Sequence, residues 1–108
     1  MMKTTLTAAT LLALSFGSVQ AEYTVKGIVA CPDIVKEDGN EHYREYNRWW
    51  LLGYITARNY SAVLSGGNGD VANEIEPDNL YQMALSFCQS NPGNDWDDAA
   101  IHVYDLLD

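Results

Sequence analysis

Basic residues are scarce: six Lys and Arg stand against 15 Asp and Glu, a formal net charge of −9. A chain this acidic lacks the positive footprint that phosphate backbones attract, which argues against nucleic-acid binding and favours basic protein partners. Cysteine is limited to two residues, and no apolar run reaches the roughly 20 residues that a membrane-spanning helix needs. The 108 residues suit one small domain, so a multidomain enzyme is ruled out.

The amino terminus reads as a leader. Met1, Met2 and Lys3 form a short basic start, Leu6 to Gly17 an apolar stretch, and Val19-Gln20-Ala21 a small-x-small cleavage pattern. A secretory signal peptide over 1–21 is expected, with the mature chain over 22–108 as a single helical domain in the periplasm. The first mature residue is Glu22, which excludes a lipoprotein, and no membrane association is expected after cleavage. Loss of Lys3 leaves five basic against fifteen acidic residues, net −10. Arg58 is the last of the five, so the second half of the chain is acidic throughout.

Export places Cys31 and Cys88 in an oxidising compartment, where two cysteines allow one connectivity. A Cys31–Cys88 disulfide closing a loop of 58 residues is therefore expected. A metal role fits poorly, because there is no C-x-x-C and neither His42 nor His102 has ligand spacing to a cysteine.

The residues before Cys31 are rich in β-branched types and can form a short extended arm. Residues 33–36 can begin a helical turn after Pro32, and residues 37–40 form a break. From Glu41 to Leu64 apolar residues recur at alternating steps of four and three: Tyr46, Trp50, Gly53, Ala57, Tyr60 and Leu64. With Trp49, Leu52, Ile55 and Val63 on other sides, this helix is expected to be central and covered nearly all round. Trp50 and Tyr46 are expected inside, and close approach of another helix or a ring is the expected reason for Gly53.

The Gly-rich stretch 65–70 lacks the Lys and Ser or Thr of a phosphate loop. Asn68, Asp70, Asn73, Glu74 and Glu76 offer oxygens for calcium but not in EF-hand order, so a solvated connector is expected. Pro77 suits a helix start, and Leu80, Ala84, Phe87 and Cys88 share one face of the helix it opens. Asn91-Pro92-Gly93 ends that helix. Asn94 is read as the N-cap of a last helix, with Asp95, Asp97 and Asp98 in its first turn and Trp96, Ala100, Val103 and Leu107 on its inner face. The fold class is thus all-α, a small disulfide-closed bundle of three to four helices.

His42 and His102 lie near carboxylates in sequence, but no nucleophile or oxyanion loop accompanies them, and no enzyme activity, cofactor or metal is expected. Asn59-Tyr60-Ser61 matches a glycosylation acceptor inside a helix and carries no weight. Trp49 and Tyr54 are the candidate partner-binding aromatics, and Asp95, Asp97 and Asp98 the candidate docking carboxylates.

As a set, Cys31, the helix containing Trp50, Gly53 and Tyr54, the Gly-rich loop, and Cys88 followed by Asn91-Pro92 resemble small exported proteins of the type VI secretion immunity group. They are more distantly similar to the HdeA/HdeB acid-stress chaperones. The resemblance implies a small helical fold closed by the Cys31–Cys88 disulfide, with Trp50, Gly53, Tyr54, Asn91 and Pro92 as scaffold. It implies work by protein binding without a cofactor. The expected function is an immunity or inhibitor protein that neutralises a secreted effector or toxin, with the acid-stress chaperone as alternative. The chain departs from those chaperones, which carry lysines in their C-terminal part, in having no Lys or Arg after Arg58. A homodimer is left open.

Overall fold

The structure, a computed structural model, describes residues 28–108. The expected signal peptide lies outside the described residues, as does most of the extended arm. Four helices follow in order: α1 (Cys31–Glu37), α2 (Glu41–Leu64), α3 (Pro77–Ser90) and α4 (Trp96–Leu107). Among the described residues there is no strand, only an isolated antiparallel bridge between Ala30 and Asp95. The protein is all-α, and Cys31 and Cys88 form the expected disulfide.

Each helix starts where local chemistry satisfies its open N–H groups. Pro32 sits in the first turn of α1, where a missing donor costs nothing. Asn40 caps α2, its side chain accepting from the N–H groups of His42 and Tyr43 at 3.0 and 3.2 Å. Pro77 and Asp78 open α3. The N-cap of α4 is Asp95, one residue later than expected, because Asp95 and Asp98 form a reciprocal capping box. Asn94 instead donates from its side chain to Asp98 at 3.2 Å.

The core joins all four helices. Cys31 and Ile34 of α1 meet Leu80, Ala84, Leu85 and Cys88 of α3, with Leu51 and Ile55 entering from α2 and Trp96, Ala99, Ala100 and Val103 from α4. Alanines at positions 84, 99 and 100, all without exposure, bring α3 and α4 close together. Val71, in the loop after α2, closes one end. No described helix is long and apolar enough to cross a membrane.

The expectation for α2 is corrected. Its buried residues are Asn47, Leu51 and Ile55, spaced by four, and α1, α3 and α4 all pack against that side. The helix is not covered all round. Tyr46 is 62% exposed and Trp50 only half-buried. Gly53 is exposed, and a Cβ there would meet nothing within 4 Å, so no helix or ring of this chain explains it.

Candidate protein-binding face

The polar residues of α2 hold the bundle together. Arg44 donates to the carbonyl of Asp38 at 2.7 Å. Arg48 pairs with Glu45 at 2.7 Å and reaches Asp78 of α3 at 3.2 Å. Its hydrogen bond to Glu45 is the main influence that raises its pKa above the usual arginine value. Arg58 donates to the Tyr54 hydroxyl at 2.6 Å and to Asp105 at 3.4 Å, and its guanidinium lies 4.1 Å from the ring centre of Tyr104. Burial lowers the Arg58 pKa, but these bonds outweigh it and leave it raised. Asn59 receives the N–H of Val71 and donates to its carbonyl, while also accepting from the Tyr104 hydroxyl. Those bonds occupy the amide of the glycosylation-like triplet.

Because the arginines turn toward the other helices, the outward face of α2 is uncharged along its centre, with His42 at its N-terminal end and Glu45, paired with Arg48, along one edge. Tyr46, Trp49, Gly53, Thr56, Ala57, Tyr60, Val63 and Leu64 are all exposed along it. Trp49 is 63% exposed, Tyr60 67% and Leu64 70%. A scattered exposed hydrophobic residue needs no explanation, whereas a contiguous aromatic face on so acidic a protein is the candidate for a binding surface.

At the N-terminal end of this face a groove of about 330 Å³ is lined by Ile28, Val29, Tyr43, Tyr46, Trp50 and Trp96, with Glu37 and Asn47 as its polar groups. Tyr54 extends it by stacking on Trp50, ring centres 5.9 Å apart and planes within 11°. Of the two candidate aromatics, Trp49 is therefore exposed on the face and Tyr54 half-buried beside it.

The acidic start of α4 adjoins the groove through Trp96, whose N–H donates to the Val29 carbonyl at 2.9 Å. Carboxylate oxygens of Asp95, Asp97 and Asp98 lie within 4.8 Å of one another. Capping already explains Asp95 and Asp98. Among the described residues this is the one such group of three, so the loop oxygens at Asp70, Glu74 and Glu76 do not converge. Asn68 makes a local turn, accepting from Asp70 N–H at 2.9 Å.

Neither histidine joins an ion pair among the described residues. His42 lies edge-on to Tyr46, ring centres 4.8 Å apart, and His102 lies 4.9 Å from Phe87. Asn91, a candidate scaffold residue, donates from its side chain to the Phe87 carbonyl at 2.8 Å and ends α3 ahead of Pro92. Of the exposed α2 face only Trp49 is a residue the sequence offers for partner binding, because periodicity alone makes the stripe through Tyr46 and Trp50 look like core. The clustering of the arginines and Asn47 on the opposite side was the available signal.

No protein-family model matches the chain, and no curated protein or solved structure matches it.

Proposed function

We propose that this is an exported protein-binding protein of the periplasm that neutralises a secreted effector by covering its active surface. The observation that carries the reading is the aromatic face of α2, uncharged along its centre, in a protein of net charge −9. Exposed Trp and Tyr provide large contact area with little rotamer freedom to lose, which suits slow dissociation. The surrounding carboxylates speed encounter with a basic partner.

The test is affinity capture with the oxidised protein from periplasmic extract and from a panel of cell-wall-acting effectors, at pH 7. One tight partner is expected, together with protection of sensitive cells. Trp49→Ala weakens capture at least about tenfold, while Leu106→Ala, on an exposed site of α4, does not. Absence of any captured effector, or of protection, removes the reading.

One observation favours the acid-stress chaperone as second reading. Carboxylates make the Tyr81–Asp38, Arg48–Asp78 and Arg58–Asp105 contacts between helical segments. Protonating them loosens the bundle. Capture of many unrelated proteins only at about pH 3, where carboxylates are largely protonated, would decide for it.

A further inference from the structure

A half-buried carboxylate stands among aromatic rings at the N-terminal end of α2. Glu37, the last residue of α1, lines the groove together with Tyr43, Tyr46 and Trp50. One of its oxygens accepts from the side chain of Asn47 at 3.0 Å, and Asn47 is the one polar residue buried among those described. A neutral glutamine would serve Asn47 equally well, so that bond does not call for the negative charge. Among the described residues Glu37 joins no ion pair. Arg44 donates to the Asp38 carbonyl instead, and Lys36 is exposed. A charge drawn partly out of water and left unpaired is unfavourable, and a cation brought by a ligand would offset this.

The chain itself shows how such a cation is held. Further along α2 the Arg58 guanidinium lies 4.1 Å from the ring centre of Tyr104 and 5.6 Å from that of Tyr54, and it donates to Asp105 at 3.4 Å. Two rings and a carboxylate make that seat. The groove offers rings and a carboxylate, and no arginine among the described residues lines it.

We propose that the groove seats an arginine side chain of the basic partner, with the guanidinium against the rings of Tyr43, Tyr46 and Trp50 and paired with Glu37. This rests on, and deepens, the reading of the protein as one that binds a basic effector: it names the side chain that the effector presents. Arginine is favoured over lysine because its planar guanidinium stacks on aromatic faces and pairs with a carboxylate through two donors. It is also more weakly hydrated than an ammonium, which eases its entry among rings. The net charge of −9 draws a basic surface in, and the groove then selects one side chain from it. A volume of about 330 Å³ lies at the small end of the range for ligand pockets and suits a single side chain.

The experiment is titration of the oxidised exported protein with Nα-acetyl-arginine amide, read by nuclear magnetic resonance at the indole N–H of Trp50. A saturable shift in the millimolar range is expected, an affinity suited to one side chain. The citrulline analogue, similar in shape but uncharged, is expected to leave that signal in place. Glu37→Gln keeps an acceptor for Asn47 and is expected to weaken binding at least about tenfold, with an unchanged circular dichroism spectrum. Leu106→Ala, on an exposed site of α4, is expected to bind as the wild type does. An equal shift with the citrulline analogue overturns the proposal. So does binding undiminished in Glu37→Gln, which would mark general attraction to an acidic surface. Binding that appears only in Lys26→Ala also overturns it, because the groove would then belong to a lysine of the chain itself. Effector capture is scored separately. An effector captured equally well by wild type and Glu37→Gln overturns the arginine seat and leaves the neutralisation reading standing, whereas arginine binding with no effector captured supports the seat and removes that reading.

Discussion

The indole of Trp96 donates its Nε1 hydrogen to the backbone carbonyl of Asn47 at 2.9 Å, joining residues 49 positions apart in the interior. That carbonyl belongs to the second turn of α2, so the bond fixes the height at which α4 begins against the long helix. Tyr81 of α3 closes over the same indole edge-on, with ring centres 5.8 Å apart. One buried ring thus sets the mutual position of three helices and forms part of the groove beside the aromatic face.

Trp96→Phe keeps most of the volume and removes the bond, and is expected to lower stability by about 1 to 2 kcal/mol. Trp96→Ala also leaves a cavity and is expected to cost about 3 to 5 kcal/mol. Urea unfolding measures both. A Trp96→Phe protein as stable as the wild type would show that the bond does not hold α4 in place.

The disulfide joins two residues that are 0 and 1% exposed. The Cys31→Ala, Cys88→Ala double variant is expected to lose about 4 kcal/mol, the chain-entropy value for a loop of this length. Because neither sulfur is accessible, reductant must wait for the bundle to open. Reduction in the native state should therefore track the opening of the fold, and mild denaturant should accelerate it. Alkylation trapping at several urea concentrations measures this, and a rate indifferent to urea would contradict it.

Tyr81 donates its hydroxyl to Asp38 at 2.8 Å. Burial, reinforced by that carboxylate, pushes its pKa far above the ordinary tyrosine value, with Glu37 adding to the shift and Arg44 opposing it. The folded protein therefore holds the phenolic proton more tightly than the unfolded chain does. This contribution to stability is complete below the unfolded value of about 10 and is lost progressively as pH rises above it. Wild-type stability is expected to fall more steeply with pH above about 10 than that of Tyr81→Phe, which is less stable by about 1 kcal/mol at neutral pH. Equal alkaline slopes for the two proteins would remove Tyr81 as the cause.

The three tryptophans differ in environment: Trp96 is 1% exposed, Trp50 half-buried and Trp49 63% exposed. Acrylamide should quench Trp49 most strongly. Trp49→Phe is expected to remove most of the quenchable emission and leave a blue-shifted remainder from Trp96. Undiminished quenching in Trp49→Phe would place the accessible indole elsewhere.

The helix boundaries and the disulfide were legible because their signals are local or exhaustive. Pro32, Asn40, Pro77 and Asn91 punctuate the chain, and two cysteines leave one pairing. The inner face of α4 was legible too, since Trp96, Ala100 and Val103 are both periodic and buried. The face of α2 was not. Apolar periodicity reports that one side of a helix avoids water, but not whether its own domain or another molecule covers that side. On α2 the inward side carries Asn47 and the outward side Tyr46 and Tyr60. Asn47 is tolerated inside because its amide donates to Glu37 at 3.0 Å.

Two glycines give predictions of opposite sign. At Gly53 an added Cβ meets nothing within 4 Å, so Gly53→Ala replaces a poor helix former by the best one without crowding. Stability is expected to rise by about 0.5 to 1 kcal/mol. At Gly69 an added Cβ would overlap the side chain of Val63 and lie 3.4 Å from the Asn59 carbonyl. The loop carrying Gly69 leads directly to Val71, which Asn59 grips through both its backbone groups. Displacing the loop strains that grip, and Gly69→Ala is expected to cost about 1 kcal/mol. Thermal melts of the two variants test both signs. A destabilised Gly53→Ala protein would mean that the glycine serves the fold of the chain despite the open space beside it.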